Sequence, residues 1–152
     1  MDDRQQKLFN LKDDILGNIH DWNKNLLHYH SVSNFIEHFD DIQNEDDKAW
    51  VFNSLTTYLI FCKGVTEFLE LKSSNKIYKT YLDKLCDYYS KNLGFHILTD
   101  KFTDYLVFGI AFTCLFFIFN IYTAVLSIPF LVWYKRKKTL KIKQKKAYGL
   151  FY

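Results

Sequence analysis

Apolar residues recur every three or four positions from about Gln5 to Tyr29, at Leu8, Leu11, Ile15, Ile19, Trp22, Leu26 and Tyr29. That spacing predicts one amphipathic helix with a single buried stripe. A bend is allowed at Gly17, where glycine costs about 1 kcal/mol relative to alanine. The pattern breaks at "HSVSN". Asn34 followed by Glu37 has the form of a capping box, so a short helix is expected from there with Phe35, Phe39 and Ile42 inward. A third helix is predicted over about Lys48 to Leu71, capped by Asp46 or Asp47. It is apolar around much of its circumference, but Asn53, Ser54, Thr56, Thr57 and Lys63 leave no run long enough to cross a membrane, which suits the centre of a bundle. "KSSNK" is expected to end it. Ile77, Tyr78, Tyr81, Leu82, Leu85, Tyr88 and Tyr89 then mark a fourth amphipathic helix to about Lys91. "NLGFHILTD" reads as a connector, with Thr99 or Asp100 as a cap for the apolar segment beyond it. No strand-like alternation persists, so the fold class is all-α and residues 1–100 read as a small four-helix domain.

The stretch from Tyr105 to Tyr134 holds thirty residues without a charge and runs directly into "KRKK". Residues 101–134 are therefore expected to form a membrane segment. One straight helix of that length spans ~45 Å, against a hydrocarbon core of ~30 Å, which is more than ordinary tilt absorbs. Two arms of about fifteen residues reach only ~22 Å each. Two architectures remain. A helical hairpin turning near Asn120 puts Tyr122 at the far interface and Tyr105, Trp133 and Tyr134 at the near one, where aromatic residues are favoured. A single long span instead carries a seam of Gly109, Thr113, Asn120, Thr123 and Ser127 on one face, suited to packing against another membrane helix. Pro129 fits either.

Charge tips the balance toward the hairpin and leaves the single span as the alternative. Residues 1–104 hold all 17 acids against 12 basic residues, a net −5, whereas 135–152 hold eight basic residues and no acid. Lys135, Arg136, Lys137, Lys138, Lys141, Lys143, Lys145 and Lys146 favour keeping this basic juxtamembrane tail on the cytoplasmic or matrix side, beside anionic headgroups. The N-terminus has neither a secretory leader nor a transit peptide, so the acidic domain is expected on the side where it is made. The hairpin satisfies both demands.

Candidate chemistry is sparse. Cys62, Cys86 and Cys114 form no CxxC pair and read as reduced thiols. His28 and His30 are two apart and point to different faces of a helix, and His20, His38, Asp40 and Asp41 converge only through folding the sequence does not show. No metal site, cofactor motif, GxSxG, HExxH or phosphate-binding glycine loop is present. Glu67 and Glu70 beside Lys63 read as a solvated face. The basic tail lacks the aromatic signature of nucleic-acid binding. The last residues are unusually apolar, and Tyr148, Leu150, Phe151 and Tyr152 are expected to dock on the interface or a partner. The expected function is that of a non-catalytic, membrane-anchored helical protein, an accessory subunit or adaptor that acts through a membrane-protein partner or self-association. The alternatives are a membrane-perturbing effector controlled by the helical domain, and a small immunity-type membrane protein.

Overall fold

Helix α1 (Asp3–Leu16) buries Leu8 and Ile15 on one stripe and packs against α3 (Tyr29–Glu37) and α4 (Glu45–Lys63). Between α1 and α3 lies a short helix, α2 (Asp21–Leu26). The remaining elements are α5 (Leu71–Ile77), which continues through a π-helical turn (Tyr78–Leu82) into α6 (Asp83–Leu93), then β1 (His96–Ile97), α7 (Ser127–Lys143) and β2 (Ala147–Tyr148). The computed structural model describes residues 2–16, 19–65, 67, 69–97 and 127–149. The expected hairpin turn, the seam residues Gly109, Thr113, Asn120, Tyr122 and Thr123, the caps Thr99 and Asp100, and Leu150, Phe151 and Tyr152 lie outside those residues. The described chain is predominantly helical.

Several local expectations are corrected. The single helix expected over Gln5–Tyr29 is three pieces. His20 accepts a hydrogen bond from the Trp22 amide at 3.2 Å and starts α2, and His28 adopts the left-handed conformation (φ 53°) just before α3. Tertiary bonds hold this broken path. Asn23 donates to the Glu67 carbonyl and accepts from the Leu69 amide (2.9 and 3.0 Å), clamping the loop after α4. Ser74 and Tyr58 donate to the carbonyls of Leu26 and Leu27, groups left without helical partners where α2 ends. Asn34 is not a helix cap: α3 begins five residues earlier and buries it mid-helix. Helix α4 starts at Glu45 under a cap supplied by Asn44, whose side chain accepts from the amides of Asp46 and Asp47, not under Asp46 or Asp47 themselves. "KSSNK" does not terminate a helix but lies within α5.

The core is aromatic at its centre. Phe35 stacks on Tyr89 (centroids 4.4 Å apart) and meets Phe95 at 5.5 Å, and the Tyr89 hydroxyl donates to the Phe35 carbonyl at 2.7 Å. Gly94, at φ 67°, ends α6, and the amides of Gly94 and Phe95 both donate to the Tyr89 carbonyl. That turn needs the left-handed conformation glycine adopts readily. It sends the chain into β1, which pairs in parallel with β2 in the register His96↔Ala147 and Ile97↔Tyr148. Neither strand was expected from the sequence, because two residues are too few for an alternating pattern to register.

Candidate functional site: the C-terminal clasp

Ser31, Asn34 and His38 are spaced by three and four residues, which places them on one face of α3. Ser31 and Asn34 are only 2% and 4% exposed, so they need partners inside the protein. The partners come from the far end of the chain. The Ser31 hydroxyl accepts from the Gly149 amide at 3.0 Å and donates to the Gly149 carbonyl at 3.3 Å, both roles that one hydroxyl can fill. Asn34 Nδ2 donates to the Ala147 carbonyl at 2.8 Å. His38 Nε2 lies 3.0 Å from the Gln144 carbonyl, and its Nδ1 lies 2.8 Å from Asp41 Oδ2. Both neighbours are pure acceptors, so the imidazolium form makes both bonds and a neutral tautomer only one. From β1, the His96 amide donates to the Lys146 carbonyl at 3.0 Å. Four backbone carbonyls and one amide of residues 144–149 are thus held by the N-terminal domain.

Side chains complete the clasp. Ala147 is fully buried, and Tyr148, 7% exposed, sits 6.0 Å from Phe35 beside Tyr89 and Phe95. Lys145 pairs with Glu37, and Lys146 lies 3.6 Å from Asp41. Burial works against ionisation of Asp41, but the bonds to His38 and Lys146 outweigh it and hold the carboxyl below its usual range. These exposed ion pairs contribute little, about 0–1 kcal/mol each, so the buried backbone bonds and Tyr148 dominate.

The strand is delivered by the way α7 ends. Lys145 takes the left-handed conformation (φ 54°), its amide donates to the Ile142 carbonyl at 3.0 Å, and the Lys146 amide donates to the Lys141 carbonyl at 2.9 Å. This is a Schellman turn with lysine where glycine is usual. Upstream, α7 meets the domain near its base. Lys141 reaches within 3.5 Å of where a Cβ on Gly94 would lie, and the rings of His96 and Tyr134 are 6.2 Å apart. Beyond that contact it presents Val132 and Trp133 to solvent, 48% and 55% exposed, with Lys137 over the Trp133 ring at 5.1 Å. The expected lipid-facing set therefore divides. Lys135, Arg136, Lys137, Lys138, Lys141 and Lys143 ride on α7, while Lys145 and Lys146 face acids of the domain. Of the expected docking residues, Tyr148 seats on its own domain. Ser127 opens α7.

Among the described residues, no three His, Cys, Asp or Glu side chains converge as a metal-binding group. Burial raises the thiols of Cys62 and Cys86 to about 11 and about 12, so neither is an activated nucleophile. Burial lowers His28 to about 4, against a smaller opposing effect of the Gly149 backbone. Its Nε2 lies 3.4 Å from the Ser74 hydroxyl, and its ring is tilted on Tyr78 at 5.2 Å. Among the described residues, no helix is long and apolar enough to cross a membrane. Sequence reasoning missed Ser31, Asn34 and His38 as a set, although their i, i+3, i+7 spacing amid Val32, Phe35 and Phe39 was the available signal. No family model matches the chain, and no curated protein or solved structure matches it.

Proposed function

We propose that this is a non-catalytic, membrane-anchored helical protein, an adaptor whose uncharged block leaves the acidic domain, enters the bilayer and returns to the same side. The observation that carries this reading is the clasp. Strand β1, which precedes the block, pairs with β2 beyond it, residues 144–149 are hydrogen-bonded to α3 of the same domain, and the Tyr134 ring lies 6.2 Å from that of His96. A single crossing separates the two ends of a segment by the ~30 Å hydrocarbon thickness. It cannot return the second end to the domain that the first one left. A hairpin can, and it leaves the basic residues of α7 near the headgroups on the domain's side, where each gains on the order of 1 kcal/mol with anionic lipid.

Helix α7 supports the same geometry. Its first eight residues, "SIPFLVWY", carry no charge and its next four, "KRKK", are all basic. The change falls at Trp133 and Tyr134, residue types that favour the membrane–water interface. The adaptor role is supported by the clasp, which joins residues on both sides of the uncharged block to one helical domain.

Single-cysteine labelling, with Cys62, Cys86 and Cys114 replaced by alanine, tests the reading. In sealed vesicles carrying the full chain, Asn120→Cys should react with an impermeant maleimide only from the side opposite the domain. Asp3→Cys and Lys143→Cys should react only from the domain side. Release of the protein by alkaline carbonate without detergent, or opposite-side labelling of Asp3→Cys and Lys143→Cys, would overturn it.

A further inference from the structure

A groove of about 440 Å³ runs between α4 and the π-helical turn. Its α4 wall is the stripe Trp50, Asn53, Ser54 and Thr57, whose i, i+3, i+4, i+7 spacing places them on one face. Val51, Leu55, Tyr58 and Leu59 of the same helix are buried in the core, so this polar stripe lies outside it. The opposite wall contributes Lys79, Thr80, Asp83 and Lys84. Residues five apart stand about 140° apart around an α-helix of 3.6 residues per turn. Here the Asp83 amide donates to the Tyr78 carbonyl, an i to i+5 bond, and the wider turn brings Lys79 and Lys84 to the same groove. Aromatic pairs flank it: Trp50 meets Tyr88 at 5.7 Å, and Phe61 stacks on Tyr81 at 4.7 Å.

We propose that this groove binds a small phosphorylated ligand with a flat ring, a nucleoside monophosphate. Its polar groups are uncommitted. Among the described residues, the side chains of Asn53, Ser54, Lys79 and Lys84 make no hydrogen bond or ion pair within the protein, whereas Lys91 further along α6 pairs with Asp87 at 2.9 Å. The like charges of Lys79 and Lys84 repel, and a phosphate between them turns that repulsion into charge-assisted hydrogen bonds. Thr57 and Thr80 donate to the carbonyls of Asn53 and Lys76 at 2.8 Å each, which leaves their lone pairs to accept from sugar hydroxyls. The Asp83 carboxylate accepts from such hydroxyls in the same way. Trp50, 38% exposed, offers an indole on which a base can stack. Trp50 and Thr57 are about 10 Å apart along α4, the reach of a ring, a sugar and a phosphate in line. The volume falls within the range of small-ligand sites, roughly 300–1,000 Å³. The groove belongs wholly to the helical domain, so this inference does not use the membrane reading.

The test uses the full chain in micelles of a neutral detergent, with Trp22→Phe and Trp133→Phe leaving Trp50 as the single indole. Excited beyond the adenine absorption band, Trp50 should be quenched saturably by adenosine monophosphate. That ligand should bind at least about tenfold more tightly than adenosine, which keeps the ring and sugar but lacks the phosphate. Lys79→Gln with Lys84→Gln should erase the difference and bring the monophosphate to the affinity of adenosine. The urea midpoint should not move, because both lysines are exposed. Lys137→Gln with Lys138→Gln on α7 should leave binding as it was. Equal affinity for the monophosphate and adenosine overturns the proposal, as does an equal loss in the α7 variant. No saturable quenching in the millimolar range overturns it as well.

Discussion

Asn34 donates its side-chain amide to the carbonyl of Ala147 at 2.8 Å, across 113 positions of sequence, and both residues are buried. This bond explains why an amide sits buried in the middle of α3. It also links the two ends of the chain through a site that water does not reach, where a missing partner is costly. The clasp is therefore part of the domain's core and not an appended tail.

Asn34→Ala should destabilise the domain by about 1–3 kcal/mol, the usual cost of leaving a buried carbonyl without its donor. Asn34→Asp should be worse at neutral pH, because a carboxylate has no proton to give and turns a lone pair toward the carbonyl. Denaturant titration in mild detergent checks both, with Asn53→Ala on the exposed face of α4 as a control expected within about 0.5 kcal/mol of the parent. Equal stability of Asn34→Ala and the parent would mean the clasp does not form.

Tyr148→Ala should cost about 3 kcal/mol, since it empties a socket next to Phe35. Its more telling effect is local. Opening the clasp exposes the backbone after Lys145 and Lys146, so trypsin should cut there many times faster than in the parent. Tyr148→Phe keeps the ring and should stay protected. Mass spectrometry of the timed digest separates the outcomes, and unchanged cleavage in Tyr148→Ala would count against a buried strand.

The helical class and most core positions were legible because they rest on periodicity. Leu8, Val51, Leu55, Leu59, Leu85 and Tyr89 all lie on apolar stripes and all are buried. The breaks were less legible because nonlocal bonds decide them. Asn44 outcompetes Asp46 and Asp47 as a cap through two amide bonds, and Asn23 fixes the path after α4 from 44 and 46 positions away. "KSSNK" reads as a loop by composition, yet Ser74 is fully buried and donates to the Leu26 carbonyl, so tertiary contact overrides weak local preference. Asn34 and Glu37 matched a capping box, and no local rule reveals that the amide's real partner is Ala147. The basic tail showed its charge but not that Lys145 and Lys146 lie against Glu37 and Asp41.

Stability should depend on His28. Its imidazole is buried, held neutral down to about pH 4 in the folded chain, against 6.5 for an ordinary histidine. Between those values the unfolded chain binds the extra proton and the folded chain does not, so acid favours unfolding. The contribution is fully present above pH 6.5, falls as pH drops, and is lost by about pH 4, amounting to about 3 kcal/mol. Asp41 lies in a different window: its carboxyl is held below the ordinary value of 3.8, so its contribution is lost only at lower pH. His28→Asn removes the titrating group and suits the left-handed backbone there. Urea midpoints measured from pH 7 to 4 should fall steeply for the parent and much less for His28→Asn; parallel curves would reject this assignment.

Trp133 is 55% exposed on α7, with Lys137 beside its ring. An indole left in water fluoresces near the red limit, while one seated among headgroups shifts to the blue and is quenched by lipids brominated near the top of the acyl chain. With Trp22→Phe and Trp50→Phe removing the other two indoles, the full chain in vesicles should show both effects at Trp133, because the boundary between "SIPFLVWY" and "KRKK" sets its depth. Charge fixes the lipid dependence. Lys137→Gln with Lys138→Gln removes two contacts worth on the order of 1 kcal/mol each in anionic membranes. Quenching should therefore weaken in anionic vesicles and change little in zwitterionic ones. Trp133 emission that stays red and unquenched in every vesicle would place α7 in water, and the lipid-facing role of its basic residues would fall with it.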